Sequence, residues 1–321
     1  MNKKSPLLSI CIPTWNRADF LRQSLSLFQE QLQNVDKESV ELYVSDNCSS
    51  DNTQKVVNEF IKNGLPVTYN RNEKNLGGTR NFIKCIQWAS GQYIWLLGDD
   101  DFLEPYMLNY LLDVLITGDY GLVHLKMESN KNEFQVFDNH SEFLKEMSYW
   151  STFISGNIFT RDYVKEIGDP EQYINSCLLQ VPYFLRSALK KEKNVVIYQS
   201  ILKAGVDASN NGGYNFFEVF THQYLSIWYS FVNEGLMTKT MYNFEKREIF
   251  QKFIRQYIYQ LIEKKENLNT DEQSDLKEGL GFKGFKIDNW FGILFKYYKN
   301  EIYFWKYMAK FVYRNFKKRI L

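Results

Sequence analysis

Short apolar segments rich in β-forming residues alternate with helix-forming segments through the first part of the chain. Strands are predicted at residues 7–13, 41–45, 67–70 and 93–97, and helices at 21–32, 51–61 and 79–89. A strand buried on both faces of a parallel sheet has such a continuous apolar run, and parallel strands need a crossover helix between them. The alternation therefore predicts an α/β fold with a doubly wound, mostly parallel sheet.

The later part of the chain has a different pattern. Helices are predicted at residues 105–115, 163–167 and 181–189, and strands at 121–127 and 195–198. From about residue 214 the sequence is helical and strongly aromatic, with a polar stretch at 263–278. We therefore expect an α/β domain over residues 1–213 and a helical C-terminal region over residues 214–321.

Composition excludes several classes of protein. The net charge of +1 excludes a broad nucleic-acid-binding surface, because binding to a phosphate backbone needs a basic excess. The four cysteines lie far apart, so neither a zinc cluster nor a disulfide framework is predicted. The first residues predict a strand and not a signal peptide, and no apolar run reaches the roughly 18 residues of a membrane span. We expect the protein in the cytoplasm.

Three adjacent carboxylates, Asp99, Asp100 and Asp101, follow the predicted strand at residues 93–97. Adjacent acids repel one another, so a cation is expected beside them. Magnesium and manganese prefer carboxylate oxygens and often share their ligands with the phosphates of a substrate. The alternative is an acidic turn that caps the helix predicted near Pro105.

Polar residues also follow the first two predicted strands. The first strand ends in Pro13-Thr14-Trp15-Asn16-Arg17, and the second ends in a segment that begins at Ser45 and Asp46. In a doubly wound sheet, ligands bind beyond the carboxyl ends of the strands. Asp46 is well placed there to accept hydrogen bonds from a nucleobase. The alternative is that Asp46 and the serines after it form a turn and cap the next helix.

The loop after the third strand contains Gly77, Gly78 and Arg80. Glycines allow close approach to the backbone, and an arginine at a helix start suits a diphosphate. Glycine pairs are also common in ordinary turns. The loop matches neither the Walker phosphate loop nor the GxGxxG fingerprint, which disfavours an NTPase and a dehydrogenase.

Together these four segments resemble glycosyltransferase family 2, the inverting GT-A enzymes that use nucleotide-diphosphate sugars. The resemblance covers about residues 7–186 and implies a GT-A-like fold, a divalent metal (Mn or Mg) and a nucleotide-diphosphate sugar as donor. It also implies that residues 1–213 form the GT-A-like nucleotide-sugar and acceptor domain. The donor-binding residues that it implies are Pro13, Thr14, Asn16, Arg17, Asp46, Gly78, Arg80 and Asp99. Gly98 stands where the family's DxD motif has its first acid, so the resemblance assigns Asp100 to the metal, Asp99 to the ribose and Asp101 to a supporting metal position.

The general base departs from the family pattern. The family's Glu-Asp pair falls on Leu179 and Gln180, and a glutamine cannot act as a base. Two alternatives remain: Asp169 or Glu171 substitutes as the base, or Gln180 only orients the acceptor.

Two further segments, residues 155–159 and 211–220, resemble the abequosyltransferase-like group of O-antigen enzymes. That resemblance implies bacterial surface polysaccharide synthesis with a glycan or lipid-linked acceptor. The alternative for the second segment is a Gly-Gly turn before an aromatic core helix. His222, which follows it, is expected to be an ordinary helix residue and not a metal ligand.

The last segment, residues 290–321, is aromatic and basic. Eight lysines and arginines against one glutamate give it a charge of +7, so the rest of the chain carries −6. On a single helix, one apolar stripe collects Phe291, Leu294, Phe295, Tyr298, Ile302, Trp305, Val312 and Phe316, and lysines lie beside it. Such a helix suits the anionic inner face of a cell membrane. The alternative is that the stripe packs on the first domain.

Two other functions compete with a glycosyltransferase. A sugar-nucleotide pyrophosphorylase shares the α/β plan, but it needs a Gly-rich basic loop after the first strand, which Pro13-Thr14-Trp15-Asn16-Arg17 lacks. A non-catalytic scaffold that binds nucleotide-sugars in envelope assembly is supported by Gln180 at the base position.

Overall fold

The structure is a computed structural model that describes residues 5–126, 133–205, 215–258 and 289–320. Its strands are β1 (Leu8–Thr14), β2 (Val40–Asp46), β3 (Val67–Arg71), β4 (Tyr93–Leu96), β5 (Asp101–Leu103), β6 (Leu122–Leu125), β7 (Phe134–Phe137), β8 (Asn157–Thr160), β9 (Asn194–Ile197) and β10 (Leu202–Ala204). Its helices are α1 (Ala18–Gln31), α2 (Thr53–Lys62), α3 (Gly78–Trp88), α4 (Met107–Ile116), α5 (His140–Met147), α6 (Arg161–Lys165), α7 (Gln180–Lys190), α8 (Tyr224–Asn233), α9 (Lys239–Glu248), α10 (Trp290–Tyr298) and α11 (Ile302–Ile320). Two π-helical stretches, Glu218–Gln223 and Ile249–Ile254, precede α8 and follow α9.

Eight strands form one sheet in the order β3-β2-β1-β4-β8-β6-β9-β7. The first four of these pair in parallel, and β8 runs antiparallel to both of its neighbours. The predicted doubly wound, mostly parallel sheet is therefore confirmed. Parallel pairing places the ends of β1, β2, β3 and β4 at one edge, together with the polar segments that follow them.

Both faces of the sheet are covered, which explains the continuous apolar strands. All seven residues of β1 are buried. Successive side chains of a strand point to opposite faces: Ile10 and Ile12 belong to the same core cluster as α1, whereas Cys11 belongs to the other cluster, which includes residues of α3. A strand with one face exposed to water would instead have polar and apolar residues in alternation.

A two-stranded sheet that the sequence did not predict lies beside the acids. β5 pairs antiparallel with β10, which places Asp101 opposite Ala204. The Gly205 N–H continues this pairing by donating to the Asp100 carbonyl at 2.7 Å. The acids thus lie in a turn and a short strand, and α4 begins only at Met107.

The C-terminal helices pack on the sheet domain and share a hydrophobic core with α3 and α7. Leu294, Tyr298 and Phe304 are fully buried in this core. The predicted boundary between residues 213 and 214 and the polar stretch at 263–278 lie outside the described residues.

The prediction of a single C-terminal helix is wrong. α10 ends at Tyr298 and α11 begins at Ile302. At the turn between them, Glu301 forms an ion pair with Lys246 at 2.5 Å, and the Trp305 indole N–H donates to the Lys299 carbonyl at 2.6 Å. The turn divides the predicted stripe. Leu294 and Tyr298 enter the core, while other members stay exposed: Phe291, Phe295, Ile302, Trp305 and Val312. The side chain of Phe316 lies outside the described part of the chain.

Candidate active site

Arg17 and two aspartates form an ion cluster where β1 and β4 end. Arg17 Nη1 lies 2.8 Å from Asp99 Oδ1 and 2.8 Å from Asp100 Oδ2. The Thr14 hydroxyl donates to the other oxygen of Asp99 at 2.7 Å. Burial raises the pKa of Asp99, although Arg17 opposes that shift. The structure therefore brings together three predicted donor-site residues and the predicted metal ligand Asp100.

The side chains of Asp100, Asp101 and Ser155 approach the backbone of Gly98 closely. A Cβ atom on Gly98 would be 3.0 Å from Asp101 Oδ2, 3.1 Å from Asp100 Oδ1 and 3.2 Å from the Ser155 hydroxyl. The Gly98 N–H donates to that hydroxyl at 2.8 Å. Burial raises the pKa of Asp101 to about 6. Two carboxylate oxygens and one hydroxyl oxygen thus lie close to the Cβ position of residue 98.

The oxygens of Asp100, Asp101 and Ser155 have the chemistry that a hard divalent cation prefers. Carboxylate and hydroxyl oxygens are the ligands that magnesium and manganese prefer. Within the described residues, no group of three or more His, Cys, Asp or Glu side chains forms a metal site. Asp100 and Asp101 would therefore supply only part of the ligands and leave the rest to water and phosphate, which is common for magnesium.

Asp46 lies at the same edge of the sheet, at the end of β2. One carboxylate oxygen accepts from the Ser49 N–H at 2.8 Å, and the other accepts from the Tyr69 hydroxyl at 2.6 Å. Arg71 Nε lies 3.6 Å from that second oxygen. The side chain of Asp46 is fully buried. In this conformation it holds Ser49, Tyr69 and Arg71, and its contact with a nucleobase stays a prediction.

The sequence reasoning missed Tyr69 and Arg71. They stand two residues apart at the end of β3, so their side chains share one face. The Arg71 guanidinium also donates to the Ser49 carbonyl at 2.9 Å. Two polar residues with this spacing at the end of a predicted strand were the signal in the sequence that could have identified them. Ser155 lies in the segment 155–159 that the resemblance singled out, but its contact with Gly98, 57 residues away in the chain, was not predicted.

The segment between Trp15 and Arg17 is held by the loop after β2. Asn16 has a left-handed backbone (φ 53°), and its N–H donates to the Ser49 hydroxyl at 2.9 Å. The Ser50 N–H donates to the Asn16 side chain at 2.7 Å. Pro13 and Thr14 are buried in β1, whereas the Trp15 side chain is 51% exposed. Trp15 therefore presents an open aromatic face at this edge.

An asparagine network holds the glycine loop before α3. Asn47 accepts from the Leu76 N–H at 2.9 Å and donates to Asn75 at 2.8 Å. Gly77 has a φ of +82°, which favours glycine. A Cβ on Gly78 would meet nothing within 4 Å, so the space beside this predicted donor residue is open.

The three candidates for the general base have different contacts. Glu171 forms an ion pair with Arg80 at 3.1 Å, and both side chains are half exposed. The Asp169 carboxylate accepts from the Glu171 N–H at 2.9 Å and so caps a short turn. The buried Gln180 donates to the Thr152 carbonyl at 2.5 Å. Only Glu171 contacts a residue of the predicted donor site.

His222 contacts residues of the C-terminal region and none of the three adjacent aspartates at residues 99–101. Its ring bonds to the Tyr297 hydroxyl, and Nε2 lies 3.7 Å from a Glu218 oxygen. These contacts agree with an ordinary helix residue.

The family model described as Glycosyl transferase family 2 matches residues 9–175, which is just over half of the chain. The chain belongs to glycosyl transferase family 2. The resemblance read from the four segments is thereby confirmed, and the acids, Asp46 and the glycine loop all lie within the matched residues of this family member.

A curated relative of this family member is similar to it over a limited region. Abequosyltransferase RfbV of Salmonella typhimurium is 39% identical over 107 residues. This region is 33% of the chain and 31% of the relative, so the chain matches about a third of that protein's length. The likeness supports the predicted O-antigen-like group.

Solved structures share the fold of this family member. S. aureus TarS 1-349 in complex with UDP aligns with a TM-score of 0.60 and 17% identity, over 84% of this chain and 77% of TarS. The mannosyltransferase PcManGT from Pyrobaculum calidifontis, in complex with GDP-Man and Mn2+, aligns at 0.54 and 13%, over 76% of this chain and 70% of PcManGT. The predicted GT-A-like fold with a helical C-terminal region is confirmed. Every helix that the structure describes is too short or too polar to cross a membrane.

Proposed function

We propose that this protein is an inverting, metal-dependent glycosyltransferase. It moves a sugar from a nucleotide-diphosphate sugar to a hydroxyl of a glycan or lipid-linked acceptor in bacterial surface polysaccharide synthesis. The observation that carries the proposal is the convergence of Arg17, Asp99, Asp100 and Asp101 at the edge that also holds Asp46. Family membership and the UDP bound by TarS support it.

The nucleoside would lie over the ends of β1, β2 and β3. Trp15 offers an exposed aromatic face for a nucleobase. The buried Asp46 and its neighbour Arg71 lie in the same region, at the ends of β2 and β3. Stacking combined with a few directed hydrogen bonds is the usual way to hold such a ring. Asp99, held by Thr14, would contact the ribose.

The diphosphate would lie between the acids and the start of α3. Asp100 and Asp101 would hold a divalent metal, which supplies positive charge that stabilises the leaving diphosphate. Arg80, at the first turn of α3, would add a guanidinium group. The backbone N–H groups at the start of this helix would face the phosphates.

Glu171 is our choice for the general base among the three candidates. It forms an ion pair with Arg80, a residue of the predicted donor site, and as the base of an inverting transfer it would face the acceptor on the side of the sugar opposite the diphosphate. When Arg80 turns to the phosphates, the Glu171 carboxylate is released to accept the proton of the acceptor hydroxyl. Asp169 would position Glu171 through the backbone, and Gln180 would keep the Thr152 segment in place.

The acceptor would be reached at the anionic inner face of the cell membrane. The turn between α10 and α11 exposes Phe295, Ile302 and Trp305, and exposed lysines adjoin them at positions 296, 299 and 306. Aromatic rings at the headgroup boundary and lysines on lipid phosphates would hold the enzyme there.

Release of nucleoside diphosphate from a panel of nucleotide-diphosphate sugars tests the proposal. We expect turnover with at least one donor in the presence of Mn2+, and loss of that turnover in Asp100→Ala, because the metal would lose a carboxylate. Asp113→Ala is the matched control, since Asp113 is an exposed aspartate on α4. Binding of a donor without turnover would favour the scaffold, and turnover that survives Asp100→Ala would contradict the metal role.

A further inference from the structure

Arg17 is a cation already placed among the carboxylates that the proposed function assigns to donor and metal. Its Nη1 atom bridges Asp99 and Asp100 at 2.8 Å each. The side chain of Arg17 is 30% exposed, that of Asp100 is 23% exposed and that of Asp99 is 6% exposed. Charges in such a partly buried cluster interact more strongly than charges on an open surface.

The backbone around Arg17 is fixed. Two hydrogen bonds join Asn16 to Ser49 and Ser50, and the Ala18 N–H donates to the Asp51 carboxylate at 2.9 Å. The Arg17 side chain is held by its two ion pairs and by the Phe20 ring, which lies 5.9 Å from its guanidinium carbon, within the range of a cation–π contact.

We propose that Arg17 is a built-in counter-cation that a divalent metal must displace from Asp100, and that the displaced guanidinium then contacts the donor diphosphate. The inference rests on the proposed function, because it needs a metal and a diphosphate at this site. Without a ligand, Arg17 reduces the repulsion between the acids. With a ligand, its charge is available to the phosphates, for which an arginine fork is suited.

Two affinities of the full chain test this inference. The first is the affinity for Mn2+ alone, measured by electron paramagnetic resonance of the free ion. We expect Arg17→Ala and Arg17→Gln to bind Mn2+ about tenfold more tightly than the unchanged protein, since a competing positive charge a few ångströms away is removed. The second is the affinity for UDP at saturating Mn2+, which we expect to fall in both variants.

Arg22→Ala is the matched control. Arg22 lies on α1, the helix that follows Arg17, and forms an ion pair with Glu59 at 2.7 Å on the surface, so its loss should change neither affinity. Arg17→Lys keeps the charge and should restore the weaker Mn2+ binding. Far-ultraviolet circular dichroism shows whether each variant is folded.

Mn2+ affinity in Arg17→Gln equal to that of the unchanged protein, including no binding by either, would overturn the inference. UDP affinity that is unaffected by both variants would overturn its second half. Neither measurement needs a transferred sugar, so failure of the inference is distinguishable from failure of the proposed function, which is judged by turnover.

Discussion

Gly98 lacks a side chain at the point where three side-chain oxygens converge. Its Cβ position is 3.0 Å from Asp101 Oδ2 and 3.1 Å from Asp100 Oδ1. From the sequence, Gly98 is only the residue that replaces an acid of the DxD motif. In the structure, it is the residue whose lack of a side chain lets the carboxylates of Asp100 and Asp101 approach its backbone.

Gly98→Ala should therefore weaken Mn2+ binding by about tenfold or more, because a methyl group would displace the two carboxylates by several tenths of an ångström. The free energy of unfolding should fall by only about 1 to 2 kcal/mol, since the site is partly open. Titration calorimetry and urea unfolding measure the two effects. UDP affinity in the presence of EDTA is the internal control, and unchanged Mn2+ affinity would rule out this location for the metal.

Helix α9 carries a fully buried carboxyl group, Glu245. One oxygen accepts from the Tyr224 hydroxyl at 2.8 Å and from the Ser148 hydroxyl at 3.0 Å, and the other has no hydrogen-bond partner. Burial raises the pKa of Glu245 to about 8. Glu248 and Lys252 also act on it, with opposite signs. The network joins α8 and α9 to the segment that contains Thr152 and Ser155.

Glu245 should make the protein less stable as pH rises from about 5 to 8. In the unfolded chain the carboxyl loses its proton near pH 4.5, whereas in the folded chain it keeps the proton to about pH 8. Between these values the folded state binds one more proton, so the free energy of unfolding falls by about 1.4 kcal/mol per pH unit. Glu245→Gln should remove this slope, as measured by urea unfolding at several pH values.

Glu59→Gln is the matched control, because Glu59 is an exposed glutamate on α2. It should leave the slope unchanged. If Glu245→Gln and the unchanged protein lose stability in parallel over this pH range, Glu245 is ionised in the folded state and the interpretation of its burial is wrong.

At the scale of the whole molecule, charge and exposed apolar area are concentrated in the C-terminal helices. The segment at residues 290–321 carries +7, against −6 for the rest of the chain. Phe295 and Trp305 are 40% and 45% exposed, and their rings lie 6.0 Å apart across the turn. This side of the molecule is the one we expect to face a lipid surface.

Phe295→Ser combined with Trp305→Ser should reduce sedimentation with phosphatidylglycerol vesicles by about tenfold, because both rings would no longer enter the headgroup boundary. The free energy of unfolding should also fall, because both side chains are more than half buried and the bond from the Trp305 indole N–H to the Lys299 carbonyl is lost, so sedimentation is compared only between folded proteins. The matched control replaces Tyr106 and Ile116, two exposed apolar residues near α4, by serine. Equal sedimentation of all three proteins, or binding to neutral phosphatidylcholine alone, would contradict the membrane surface.

Much of the fold was predictable because it depends on local patterns. The apolar runs that became β1, β2, β3 and β4 have the length and composition of buried parallel strands, and loops at their ends must meet at one edge. The same logic placed Asp46, Gly78 and the three aspartates near one another. β5 was missed, because three residues carry too little pattern without the partner strand β10.

The sequence by itself determined the parallel strands β1 to β4, their polar edge and the family, since these follow from hydrophobic period and from motifs within short segments. It did not predict β7 and β8 of the same sheet. Tertiary structure alone decided that Arg17 bridges Asp99 and Asp100, that Glu245 is buried, and that the C-terminal helix breaks at Lys299. Each of these depends on contacts between residues far apart in the chain. Their free energy comes from burial and charge pairing, which no local pattern records.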